Sequence, residues 1–171
     1  TPEEIQGLLA GVQVVATYTN YMGINTTQNT TQQFAIDQVN IQRMDLVVEK
    51  PSLVMDTSTP QTVLTTVTLK DKDGNLIKGR QVTLAIDNWG VDNNIIKNSV
   101  NFKDVIGGST VVETDANGQA VVVLEVKTTT KEAVDALATS GIGISASATQ
   151  GDGSGTVTQT TRINVSSAAT L

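Results

Sequence analysis

The chain has 171 residues, no cysteine, no histidine, 3% aromatic residues and a formal charge of −6. Those absences remove thiolate and imidazole chemistry and the usual zinc and haem ligands. The acidic balance argues against a nucleic-acid groove, and no apolar run approaches the ~20 residues of a membrane span.

Hydrophobic residues make up 39% of the chain, and about 26 Thr take up much of the shortfall beside a similar number of Val. Both are β-branched and suit a pleated, half-buried surface. At the start, Thr1 with Glu4 reads as a capping box, and Pro2 fits the first helical position. Ile5, Leu8 and Leu9 form the stripe of a short helix that Gly11 ends. Val12, Val14, Ala16 and Tyr18 then alternate with Gln13, Val15, Thr17 and Thr19, which predicts a strand. Asn20 to Thr31 reads as a polar loop, and Phe34 and Ile36 mark a closing strand.

A run of strand signals follows. Met44 to Glu49 is the first, with Pro51 marking a bend or sheet edge. Val63, Val67 and Leu69 alternate with Thr62, Thr66 and Thr68, and Val82, Leu84 and Ile86 with Gln81, Thr83 and Ala85. Between them Asp71-Lys-Asp-Gly-Asn75 has the composition of a hairpin turn. Asn88 to Lys103 predicts a long loop with one short strand. Ser109 to Thr114 and Gln119 to Val126 predict a hairpin closed by Asp115-Ala-Asn-Gly118.

The opening pattern then returns. Thr129 with Glu132 repeats the capping box, Val134, Leu137 and Ala138 the stripe, and Gly141 the stop. Ile142, Ile144, Ala146 and Ala148 repeat the strand, Gln150 to Gly155 the loop, and Ile163 and Val165 the closing strand. The period is about 130 residues. The expected fold is all-β: an Ig-like sandwich of about seven strands with a short inserted helix, preceded by a helix and two strands of an earlier copy. The expected boundaries are 1–41 for the end of a preceding repeat, 42–167 for the complete domain and 168–171 for a tail. A helix and two strands cannot bury their apolar faces alone, so residues 1–41 are expected to pack on the sandwich or to exchange in a dimer. No signal-peptide pattern opens the chain, which therefore reads as an internal piece of a longer protein.

Three segments carry a family resemblance: Val67-Thr-Leu-Lys-Asp-Lys-Asp-Gly-Asn-Leu-Ile-Lys-Gly-Arg-Gln-Val-Thr-Leu84, Thr114-Asp-Ala-Asn-Gly-Gln-Ala120 and Ile144-Ser-Ala-Ser-Ala148. In that order they resemble the group 1 bacterial Ig-like domains of intimin and invasin, over about Arg43 to Ser166. The helix at Thr130 to Thr139 departs from the family pattern. The resemblance implies a non-enzymatic module of a bacterial cell-surface adhesin, acting as structural spacer or in cell adhesion. It implies an extracellular, outer-membrane-anchored or secreted parent. The implied partners are neighbouring repeats of the same chain and a host-cell or surface ligand. The alternative is a carbohydrate-binding or enzyme-accessory β-sandwich, which needs aromatic platforms. Only Trp89, Tyr18, Tyr21, Phe34 and Phe102 supply rings.

No residue set predicts catalysis, and no cofactor is expected. Glu113 and Glu125 read as solvent-facing strand residues rather than as a carboxylate pair across a cleft. Asp71, Asp73 and Asp115 are the calcium candidates. Gly74 falls fourth from Asp71, whereas an EF-hand places its glycine sixth, so a solvated turn is the preferred reading. Asp87 and Asp92 form a second acidic cluster among Asn residues. Trp89 reads first as a plug at the end of the sandwich and second as a contact residue. The sequons at Asn25, Asn29 and Asn164 are expected by chance in a chain so rich in Asn and Thr. Lys–Asn isopeptide crosslinks need a buried acid beside the pair, which no spacing here demonstrates.

Overall fold

A computed structural model describes residues 12–19, 22–32, 39–89 and 94–168. The first element is a separate hairpin of β1 (Val12–Thr19) and β2 (Asn25–Gln32), with Val12 opposite Gln32 and Thr19 opposite Asn25. The stretch read as a polar loop is therefore largely strand. Its Thr residues are β-branched and suit a strand, and Thr17 Oγ1 and Thr27 Oγ1 meet across the hairpin at 3.3 Å. The expected helix over 1–10, and Phe34 and Ile36, lie outside the described residues.

The remaining strands build a sandwich of two sheets. Strands β3 (Arg43–Val48), β5 (Gln61–Lys70), β9 (Gln119–Val126) and β7 (Val100–Phe102) lie side by side in that order. The facing sheet has the order β4 (Ser52–Met55), β11 (Thr156–Ser167), β10 (Ile142–Thr149), β6 (Gln81–Ile86) and β8 (Ser109–Glu113). The first sheet reads A-B-E-D, and β6, β10 and β11 read C-F-G, the immunoglobulin order. About seven strands were expected and nine are described. Of these only β4 was not marked in the sequence; β4 and β8 are short segments at the two margins of the second sheet, where the chain changes sheets after β3 and β7. Pro51 marks the first change: lacking an N–H it does not extend the ladder, and its carbonyl accepts from Asn164 N at 2.9 Å.

Alternation sorts the core as the sequence indicates. Val63, Val67, Leu69, Val82 and Leu84 are fully buried, and with Phe102, Leu124, Ile144 and Ile163 they fill the space between the sheets. Hairpin β10–β11 has Ile142 opposite Ile163 and Thr149 opposite Thr156, the same pairing plan as β1–β2.

Neither expected central hairpin forms. β5 and β6 belong to opposite sheets, joined beyond a single bridge between Lys70 and Leu76. β8 and β9 are likewise divided, β8 pairing with β6 and β9 with β5 and β7. Both connections are arches over the core, because the apolar faces of the strands they join point at one another across it. The arches interlock. Thr114 Oγ1 donates to Ile77 O at 2.7 Å and accepts from Arg80 N at 2.9 Å, while Leu69 N donates to Gly118 O at 3.0 Å.

Two helices are described. Within the stretch read as a loop, α1 (Ile95–Ser99) precedes β7 and buries Ile96. The inserted helix α2 (Lys131–Ser140) is capped by Thr130, one residue later than expected, whose Oγ1 accepts from Ala133 N at 3.1 Å. Its buried face is Ala133, Val134 and Leu137, and Ala138 is exposed. Gly141 stops it at φ 65°, where a Cβ would lie 2.9 Å from Ile163 O. Among the described residues no helix is long and apolar enough to cross a membrane.

Candidate functional site

Strand directions give the sandwich two poles. At the proximal pole the chain enters through residues 39–42, and the connections 71–75, 115–118 and 150–155 cluster there. At the distal pole lie Asp56, Thr128 and α2, and the chain leaves through Ala168, whose N–H donates to Met55 O at 2.9 Å.

The calcium candidates serve the proximal turns. Asp71 Oδ1 accepts from Asp73 N and Asn75 N, both at 2.9 Å, and Oδ2 accepts from Asn75 Nδ2 at 3.2 Å. Asp115 Oδ1 accepts from Asn117 N at 2.8 Å and Gln119 N at 3.0 Å. Gly74 (φ 80°) and Gly118 (φ 67°) take the same place in each turn. The two loops are thus copies of one device, an aspartate closing a five-residue turn on backbone N–H groups. The Asn75 N–H, first among several donors, holds the Asp71 carboxyl below its ordinary range. Asp73 instead pairs with Lys72 Nζ at 2.9 Å in solvent. Among the described residues no three acidic groups converge as a metal cage would require.

Beside these turns the entering segment is gripped residue by residue. Arg80 Nη2 donates to Val39 O at 2.7 Å and Nη1 to Thr149 O at 2.9 Å. Asn40 Nδ2 donates to Asp152 Oδ2 at 2.8 Å, and Asp152 N donates to Asn40 Oδ1 at 3.2 Å. Gln150 Oε1 accepts from Ile41 N at 2.6 Å and Gln150 Nε2 donates to Ile41 O at 3.1 Å, so this side chain imitates a strand neighbour. The Ser154 hydroxyl, then the Asn40 amide and the Ser154 N–H, lower the Asp152 carboxyl from 3.8 to about 2. None of these residues was singled out from the sequence. Arg80 left a signal: it shares strand parity with Val82, Leu84 and Ile86, which places a cation on the buried face. The partners of Asn40 left none, since Asp152 is 112 positions away.

The remaining candidates stand apart. Trp89 is half-buried against the core and packs against Gly108, where a Cβ would meet its ring at 2.6 Å. Its Nε1 donates to Asn101 Oδ1 at 3.4 Å, and Lys97 Nζ stands 5.0 Å from the ring centroid. Glu113 and Glu125 are exposed on different sheets. Asp87 is exposed at the distal end of β6, and Asp92 lies outside the described residues. Asn25 and Asn29 sit on β2 and Asn164 on β11.

No family model matches the chain. No curated protein matches it in sequence. Among solved structures it is similar to the adhesin InvE of Yersinia pseudotuberculosis, with 16% identity and a TM-score of 0.44 over 90% of this chain. The chain spans about half of that structure, 49% of its length.

Proposed function

We propose that the chain is a non-enzymatic Ig-like repeat of a bacterial cell-surface adhesin, working as a spacer that carries tension between neighbouring repeats. Residues 1–41 are the end of one repeat and 42–167 the next. One observation carries this reading: the chain enters and leaves the sandwich at opposite poles, with both ends hydrogen-bonded into it. Tension on the ends draws β4 towards the proximal pole and β11 towards the distal one. These strands run parallel, from Asn164 beside Ser52 to Ser167 beside Met55, so their bonds are loaded together in shear. The sequence resemblance over Arg43 to Ser166 supports an extracellular setting. The Asx turns and the clasp at Asn40 need no bound ion.

Single-molecule pulling tests the reading, because the chain has no cysteine and attachment points can be introduced one at a time. Pulled through its ends, the sandwich should unfold in one event releasing roughly 400 Å of chain. The force should exceed that needed when the same molecule is pulled across the strands of one sheet, between Thr83→Cys in β6 and Thr158→Cys in β11, which flank Ser147 of β10. Equal forces in the two directions count against a tension-bearing spacer. Saturable glycan binding that Trp89→Ala abolishes transfers support to a carbohydrate-binding module.

A further inference from the structure

At the head of the sandwich, Val39, Asn40 and Ile41 are each held by a side chain rather than by a strand. The holders are Arg80, Asp152 and Gln150, and the next residue, Gln42, already donates its N–H to Lys70 O at 2.9 Å. At the other end the chain is held up to Ala168, which donates to Met55 O. The shared pairing plan of β1–β2 and β10–β11 puts successive repeats about 130 residues apart. At that spacing the equivalent of Val39 falls within about one residue of position 169. The last residue held by one unit and the first residue gripped by the next are then neighbours.

We infer that consecutive units are joined without a free linker, and that Arg80, Gln150 and Asp152 of each unit grip the tail of the unit before it. The inference rests on the spacer reading above and names its partner, the distal pole of a second copy of this repeat. The surface around the clasp fits an abutting unit. Val39 is 44% and Leu76 47% exposed at this pole, and a cleft of about 490 Å³ lined by Asn40, Gln42 and Asp71 to Asp73 opens beside Val39. The distal pole has a cleft of about 340 Å³ with Met55, Val134 and Ala168 in its wall. Arg80 is suited to the joint because its planar fork satisfies two carbonyls on different segments at once. Gln150 adds paired bonds that fix direction as well as position. A segment held in this way transmits rotation of one unit to the next, whereas a free linker does not.

The test uses the full chain extended by one unit, residue 169 being followed by a second copy that begins at Val39. Thr158→Cys in both copies supplies two spin-label sites, and the distance distribution between them is read by pulsed EPR. The expected result is one narrow distribution centred near the length of a unit, roughly 40 Å from the 12-residue β11. Gln150→Ala with Asp152→Ala in the second copy should widen it about twofold, with thermal melting showing that both units remain folded. Arg80→Lys, which keeps the charge but loses the fork, should widen it as well. A broad distribution in the unsubstituted chain overturns the linkerless joint and leaves a flexible spacer standing. A narrow distribution indifferent to all three substitutions overturns the role of the clasp. A separation far below the unit length, from units lying side by side, overturns the in-line spacer reading itself.

Discussion

Arg80 and Thr65 both reach the inner side of a strand by parity, and the fold treats them differently. Arg80 finds carbonyls at Thr149 and Val39, so its charge is buried with its fork in use. Thr65 Oγ1 is buried among Val63, Val67 and their neighbours with no hydrogen-bond partner among the described residues. An unpaired buried hydroxyl costs more than the methyl group that would replace it. Thr65→Val should therefore stabilise the sandwich by about 1 kcal/mol, read as a higher urea midpoint at unchanged slope. Trp89 offers a second test, because its ring occupies the space a side chain at Gly108 would need. Gly108→Ala should displace the indole, red-shift the single-tryptophan emission and cost about 1–3 kcal/mol. An unshifted spectrum in a fully stable protein would mean that the ring does not lie there.

At the scale of elements, the two aspartate turns and the inserted helix depend on different local chemistry. The turns need an acceptor at Asp71 and Asp115 for backbone N–H groups, and an Asn side chain can accept as well as a carboxylate. Asp115→Asn should leave the melting temperature nearly unchanged while Asp115→Ala lowers it, and calcium or EDTA should shift none of the three proteins. A calcium-dependent melting temperature lost in Asp115→Asn would reassign the turn as an ion site. In α2 the stop is more sensitive than the start. Gly141→Ala forces a Cβ against Ile163 O in a left-handed conformation and should cost about 1–3 kcal/mol, against about 1 kcal/mol for Thr130→Ala. Chemical denaturation of the pair checks the ranking.

For the whole molecule, acid is the informative variable because three carboxyls that pin loops titrate low. Asp152 is lowered to about 2, and Asp56 and Asp71 are lowered by N–H donors from Ser58 and Asn75 first. The folded state binds these protons less tightly than the unfolded chain, so their contribution is complete above the unfolded value of 3.8 and fades as pH falls towards about 2. The melting temperature should be flat above about pH 5 and decline below about pH 4. Asp152→Asn should make that decline shallower, which a pH series of thermal melts measures. The same variant should loosen the Asn40 contact without opening the core, because the clasp lies outside the sandwich layers.

The sequence by itself determined the class of the fold, most of its strands, the inserted helix and its glycine stop. These follow from a period of two along Val63–Leu69 and Val82–Ile86, a period near 3.6 along α2, and the positive φ that Gly141 supplies. Arg80 shares parity with Val82, Leu84 and Ile86, a signal that was not drawn on, and nothing local in the sequence shows what receives it. Only the tertiary structure decided that the connections at Asp71 and Asp115 are arches, since a turn sequence specifies local reversal and not which sheet the next strand joins. The strand character of Asn25–Gln32 was hidden because polar Thr and Asn carry no apolar alternation until they are paired. The clasp was hidden for a related reason: Val39, Arg80 and Asp152 are far apart in the chain, and contacts across such separations are set by how the two sheets pack.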